Sequence, residues 1–120
     1  MEIKKAWRVI FDREIENAEA ARALGNEGKA RVCARRAAGA VAGEYFARLG
    51  APSGSPSAYQ NLQRLRDHAE IPAHIRQITD HFLERINEAH GLPSDADLIA
   101  DAHRLANELL METRLGRNTD

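Results

Sequence analysis

The chain has 120 residues, of which 43% are hydrophobic, 29% charged and 5% aromatic. That length suits one hydrophobic core and is too short for two, and that balance excludes a wholly disordered chain. The formal net charge of -1, from 17 basic and 18 acidic side chains, excludes a global attraction to nucleic acid or anionic membrane, so any such binding must come from a local patch.

Few aromatics and abundant Ala require a core of Ala, Leu, Ile and Val, a mixture suited to closely spaced helices. The expected fold is all-α: a single compact antiparallel bundle of about five helices over residues 1–115, with a frayed tail over 116–120. Lys4 and Lys5 are followed by no apolar run, because Arg8, Asp12, Arg13 and Glu14 interrupt every window. Neither a signal peptide nor a membrane span is expected.

From Glu2 to Leu24, Ile3, Trp7, Ile10, Phe11, Ile15, Ala18 and Ala21 recur at three- and four-residue steps and predict one helix face, stopped at Gly25. Asn26 is the expected N-cap of a second helix running to about Leu49, with Gly50 as its stop. Ala30, Cys33, Ala34, Ala37, Ala38, Gly39, Ala40, Ala42 and Gly43 leave that helix nearly smooth, so another helix can approach it closely. Gly39 and Gly43 form a small-xxx-small pair; outside a membrane, tight packing within the chain is its ordinary meaning. The lone Cys33 has no disulfide partner within the chain, which points to a cytoplasmic location and to a buried, inert thiol.

The run Ala51-Pro52-Ser53-Gly54-Ser55-Pro56 reads as a loop. Ser57 can cap a short third helix from Ala58 to about His68, with Tyr59, Leu62 and Leu65 inward. Pro72 fits the first turn of a fourth, in which Ile75, Ile78, Phe82, Ile86 and Ala89 keep the helical period up to His90 and the stop at Gly91. Ser94 with Asp97 then forms an imperfect capping box before a fifth helix built on Leu98, Ile99, Ala102, Leu105, Ala106, Leu109 and Leu110.

Several chemistries find little support in this layout. The five histidines, His68, His74, His81, His90 and His103, include no pair at i, i+3 or i, i+4, the spacing a helical metal site needs. His74 and His81 share a face but stand about 10 Å apart by helical rise, so ordinary surface or rim positions are expected, with no metal or cofactor. Cys33 lies in no nucleophile motif, no Gly-x-Ser-x-Gly turn occurs, and Gly50 to Gly54 lacks the Lys-Ser or Lys-Thr of a phosphate-binding loop.

Two cationic features remain. Lys29, Arg31, Arg35 and Arg36, with Arg22 and Arg48 on either side, can give the second helix a basic edge for RNA or another phosphate partner. Arg31, Arg35 and Arg36 are its candidate RNA-binding residues; the competing reading is a solvated face paired with Glu27, Glu44 or a neighbouring acidic helix. Arg85-Ile86-Asn87-Glu88-Ala89-His90 sets a permanent cation and an imidazole near the end of the fourth helix. His can move protons at a ribose hydroxyl or leaving oxygen, and Arg can stabilise charge developing on a phosphate, without a metal. A five-residue step turns side chains about 140° apart on a regular helix, so convergence of Arg85 and His90 requires a chain break near Gly91 or a second subunit.

Taken together, the Ala-rich helix Gly28-Lys-Ala-Arg-Val-Cys-Ala-Arg-Arg-Ala-Ala-Gly-Ala-Val-Ala-Gly-Glu-Tyr-Phe-Ala-Arg, the start Ser57-Ala-Tyr-Gln-Asn-Leu and the final Asp97-Leu-Ile-Ala-Asp-Ala-His-Arg-Leu helix resemble the HEPN superfamily of small helical bundles. The likeness runs roughly from residue 14 to residue 112 as a spacing of helices and small residues. It implies a homodimer formed through bundle helices. It also implies either a metal-independent RNA endonuclease or a catalytically silent relative, with RNA or a nucleotidyltransferase-type protein as partner, in a toxin–antitoxin or defence setting. Active members carry Arg, four to six residues, then His, which would make Arg85 and His90 the catalytic pair. The residue after that Arg is usually polar, and here it is Ile86, with Asn87 one place later. The competing function is a non-enzymatic interaction module that presents an apolar helix face to a protein partner; its mark would be a contiguous exposed apolar patch.

Overall fold

A computed structural model of the chain describes residues 5–51, 56–84 and 96–111. The described chain is an all-α bundle: α1 (Ala6–Ala23), α2 (Glu27–Arg48), α3 (Ala58–Asp67), α4 (Ala73–Leu83) and α5 (Leu98–Ala106), the last continuing into a π-helical turn, Asn107–Met111. None of these helices is long and apolar enough to cross a membrane.

Local chemistry sets the ends of α1 and α2. Gly25 and Gly50 have φ of 81° and 78°, a region that disfavours residues carrying a Cβ. After α1, the Gly25 N–H donates to the Arg22 carbonyl and the Asn26 N–H to that of Ala21; after α2, Gly50 donates to Ala47 and Ala51 to Phe46. Both are Schellman closures, which satisfy carbonyls a helix end leaves open. Asn26 closes α1 and opens α2 together, because its side-chain oxygen accepts from the Lys29 N–H. Ser57 caps α3 through the Gln60 N–H, and Asp97 caps α5 through that of Ala100.

α2 is the central element, packed against α1, α3, α5 and the π turn, while α4 leans mainly on α3 and α5. Its buried residues Ala30, Ala34, Ala37, Ala38 and Ala42 are inaccessible to solvent, which lets neighbours approach without large side chains between them. Bulk comes from the other elements: Phe11 on α1, Leu62 and Leu65 on α3, Ile75 and Phe82 on α4, Leu98 and Leu105 on α5. Each such side chain contributes about 1.5–3 kcal/mol on full burial. Thr79, also buried, donates its hydroxyl to the Ile75 carbonyl one turn back at 2.8 Å. Cys33 is buried, and burial, then the nearby Glu14 carboxylate, pushes its thiol above the usual range, as the inert reading requires.

Four features differ from what the sequence pattern predicts. The helical period continues to His90, but α4 ends at Leu83 and Glu84 turns extended, with ψ of 141°. The Phe82 carbonyl, which a continuing helix would offer to the amide four residues on, accepts instead from Arg35 Nε at 3.0 Å. Ile10, expected to face inward, is 39% exposed. It stands about 100° round α1 from the core residue Phe11, at the edge of the buried face. Tyr59 is half-buried, whereas Leu62 and Leu65 are enclosed. The last helix widens into the π turn after Ala106, where the Arg48 guanidinium donates to the Leu110 carbonyl at 2.9 Å.

Candidate functional site

Arg85 and His90, the expected catalytic pair, lie outside the described residues, as does the tail over 116–120. Arg31, Arg35 and Arg36 are described, and they do not form one open stripe. Arg35 is half-buried and held by the Phe82 carbonyl, and desolvation lowers its pKa from the ordinary arginine value. Arg31 is half-buried beside it on the same side of α2, whereas Arg36 is exposed and about 100° further round. Of the flanking cations, Arg22 holds Glu27 at 2.8 Å and Asp97 at 3.0 Å, and Arg48 holds Glu44 at 3.0 Å. The pairing reading therefore describes the two ends of α2, and Arg36 is left facing solvent.

Arg36 opens onto a groove of about 650 Å³ along the outer side of α2. Its floor is Val32, Gly39, Ala40, Gly43 and Ala47; Trp7, Ile10 and Glu14 of α1 form one wall, and Pro56, Ala58 and Asn61 at the start of α3 form the other. Arg35, Arg36 and Glu44 supply the charge at its rim. Helical geometry explains the floor: Val32, Arg36, Ala40, Gly43 and Ala47 follow at steps of three and four, so they share the face that α1 and α3 leave uncovered.

The small residues have different roles within it. A Cβ on Gly39 would lie 2.5 Å from Ala58 Cβ and 2.6 Å from Ala58 Cα, so Gly39 is what admits α3. A Cβ on Gly43 would meet only Asn61 Nδ2, at 3.5 Å. Tight packing within the chain thus accounts for Gly39, and Gly43 leaves the groove open. Two polar atoms of the lining are buried without a partner among the described residues: Trp7 Nε1, on a side chain 8% exposed, and Glu14 Oε1. An unsatisfied buried donor or acceptor costs about 1–3 kcal/mol.

The four described histidines, His68, His74, His81 and His103, serve packing and pairing. His68 stands edge-on to Tyr45 and Phe46, and His103 edge-on to Phe11. His74 pairs with Glu108. His81 Nδ1 lies 2.9 Å from Asp101 Oδ2, joining α4 to α5 at a buried carboxylate. No group of three His, Cys, Asp or Glu side chains suited to a metal ion occurs among the described residues.

The groove does not follow from the apolar pattern, which sets Trp7, Ile10 and Phe11 on one inward face and leaves α2 uniformly smooth. The signal was present in Val9-Ile10-Phe11, three consecutive apolar residues whose side chains span about 200° of a helix. Such a run cannot be wholly buried by a single neighbour. Comparison of the chain with protein-family models, curated proteins and solved structures gives no match, so the family resemblance rests on the residues quoted for it.

Proposed function

We propose that this chain is a HEPN-like helical protein that works as a binding module, with the α1–α2 groove as its contact surface. The observation that carries the reading is the groove itself: an apolar floor, exposed Ile10 and Val32 at 39% each, and cationic and anionic groups on one rim. Surfaces of that composition, apolar at the centre and charged at the edge, are those that proteins use to meet other proteins. The test compares the native chain with Ala40→Trp and Ala47→Glu, which fill or charge the floor. Complexes with a second copy, with single-stranded RNA and with a nucleotidyltransferase-type protein are measured by sedimentation. The reading expects at least one complex to form and to weaken about tenfold or more in both variants while their melting temperatures hold. If no complex forms, or every complex ignores both substitutions, the reading fails.

A ribonuclease reading is favoured by a separate observation. Arg35 bonds to the Phe82 carbonyl, three residues before Arg85, so the side of α2 that carries Arg31 and Arg35 adjoins the end of the helix leading into the Arg85-to-His90 motif. In this reading Arg85 stabilises negative charge on the scissile phosphate and His90 transfers the proton. Incubation with structured and single-stranded RNA in the presence of a chelator should give cleavage that Arg85→Ala and His90→Ala each abolish. Cleavage that persists in both variants overturns the assignment, and an intact RNA pool with native protein leaves the silent, binding form.

A further inference from the structure

We propose that the α1–α2 groove is the binding site of a free α-amino acid whose side chain ends in a carbonyl group, glutamine being the simplest such ligand. The proposal deepens the binding-module reading and rests on it, because it names the occupant of the same surface.

The polar groups that the fold leaves over define that chemistry. Around the groove, Arg35 is bonded to the Phe82 carbonyl and Glu44 to Arg48. The Asn61 amide donates to the Gly39 carbonyl at 3.4 Å. Three groups of the lining remain without a hydrogen bond or ion pair among the described residues: Glu14 Oε1, Trp7 Nε1 and the Arg36 guanidinium. Buried polar groups are almost always satisfied, so two unpartnered ones on the wall of one groove call for a ligand that satisfies both. Trp7 is 8% exposed, and its indole nitrogen can only donate. An ionised Glu14 carboxylate can only accept.

Their placement sorts the parts of the ligand. Glu14 and Arg36 both act on the Cys33 thiol, in opposite directions, so an unpaired anion and an unpaired cation share one end of the groove. They match the α-ammonium and α-carboxylate that a free amino acid carries on one carbon. α1 and α2 are antiparallel across the Gly25 turn. Trp7, seven residues before Glu14, therefore stands about 10.5 Å further along, toward Gly43. Hydrogen bonds of about 2.8 Å at each end leave about 5 Å for the ligand, the reach of a side chain of three or four carbons. Ile10, Ala40 and Gly43 line that stretch, which suits methylene groups, and the indole N–H beyond them calls for an acceptor. The volume of about 650 Å³ lies within the range of small-molecule sites, about 300–1,000 Å³. A phosphate backbone fits this wall poorly, because the Glu14 carboxylate repels it. Both buried atoms are covered by protein, so seating the amino acid turns the Trp7 and Glu14 side chains into the groove.

Trp7 is the only tryptophan of the chain, so its emission reports on the site directly. L-Glutamine titrated into the full chain should change that emission saturably, with a dissociation constant of about 1 mM or tighter. Three probes on the native chain each delete one contact: N-acetyl-L-glutamine the ammonium, L-glutaminamide the carboxylate and L-norleucine the acceptor. By calorimetry each should bind about tenfold or more weakly than glutamine. Glu14→Gln and Arg36→Gln should repeat the first two losses, and Trp7→Phe should weaken glutamine while leaving norleucine unchanged. The probe series needs no variant to fold. Absence of a saturable response to glutamine would overturn the proposal, as would N-acetyl-L-glutamine or norleucine binding as tightly as glutamine. Glutamine binding that ignores Ala40→Trp would place the amino acid elsewhere and overturn it too. Should glutamine fail while Ala40→Trp still weakens an RNA or protein complex, only the amino-acid assignment falls. Insensitivity of every complex to groove substitutions would remove the binding-module reading as well.

Discussion

Gly39 and Gly43 are the same residue type one helical turn apart, yet their surroundings predict opposite responses to one added methyl group. At Gly39 the new Cβ would sit 2.5 Å from Ala58 Cβ and 2.6 Å from its Cα, contacts that only a shift of the α3 backbone can relieve. Overpacking of this kind costs about 1–3 kcal/mol, and Gly39→Ala should lower the melting temperature despite its better helix propensity. Gly43→Ala gains up to about 1 kcal/mol in propensity and meets Asn61 Nδ2 at an ordinary 3.5 Å, so thermal stability should hold or rise. Scanning calorimetry of the two variants checks the contrast. Equal effects would show that α3 does not depend on Gly39 for its approach.

Between elements, the clearest link is Arg22 at the end of α1, which holds Glu27 at the start of α2 and Asp97 at the start of α5. The Arg22 hydrogen bond holds Glu27 below the usual carboxylate range. For Asp97 burial acts upward, but the Arg22 hydrogen bond and the Ala100 N–H outweigh it, so this carboxyl too lies below its usual range. A carboxyl whose pKa is depressed by folding contributes stability above its unfolded value and loses it as pH falls through the folded one. The contribution is therefore complete at neutral pH and disappears below about pH 4. Arg22→Gln should lower stability at pH 7 by about 0.2–1 kcal/mol, since all three side chains are well exposed. The gap between variant and native melting temperatures should close on acidification and shrink with salt. A gap that stays constant from pH 7 to acid would refute the ionic origin.

The same elements show what was legible beforehand. Asn26 and Ser57 as caps and Gly25 and Gly50 as stops were readable because each is a local event, decided by one side chain and the next few amides, whereas Asp97, expected as the partner of Ser94 in a capping box, is itself the N-cap of α5. The end of α4 was not, because the residue that takes the Phe82 carbonyl, Arg35, lies 47 positions away. The groove was hidden for a similar reason. Its floor depends on which stripe of α2 remains after α1, α3 and α5 have taken theirs, and an Ala-rich helix carries almost no amphipathic signal to show that division.

At the scale of the whole bundle, the layout predicts unequal stability. α2 touches α1, α3, α5 and the π turn, so no part of it can open without releasing most of the core. α4 leans mainly on α3 and α5, and its last turn is tied to α2 by the Arg35 bond. Amides in the interior of α2, from Ala37 to Ala42, should exchange with solvent only through global unfolding, which for a domain of this size requires about 5–15 kcal/mol. Those of α4 should exchange through a smaller opening several kcal/mol below that, and Arg35→Met should lower the α4 value further while leaving α2 nearly unchanged. Native-state hydrogen exchange measured against denaturant separates the two classes by their slopes. Merged isotherms for α2 and α4 would mean that the bundle opens as one unit. Separate isotherms would make α4 the element that can move while the floor of the groove, carried by α2, keeps its shape, so that events at the end of α4 reach the groove chiefly through Arg35 on its rim.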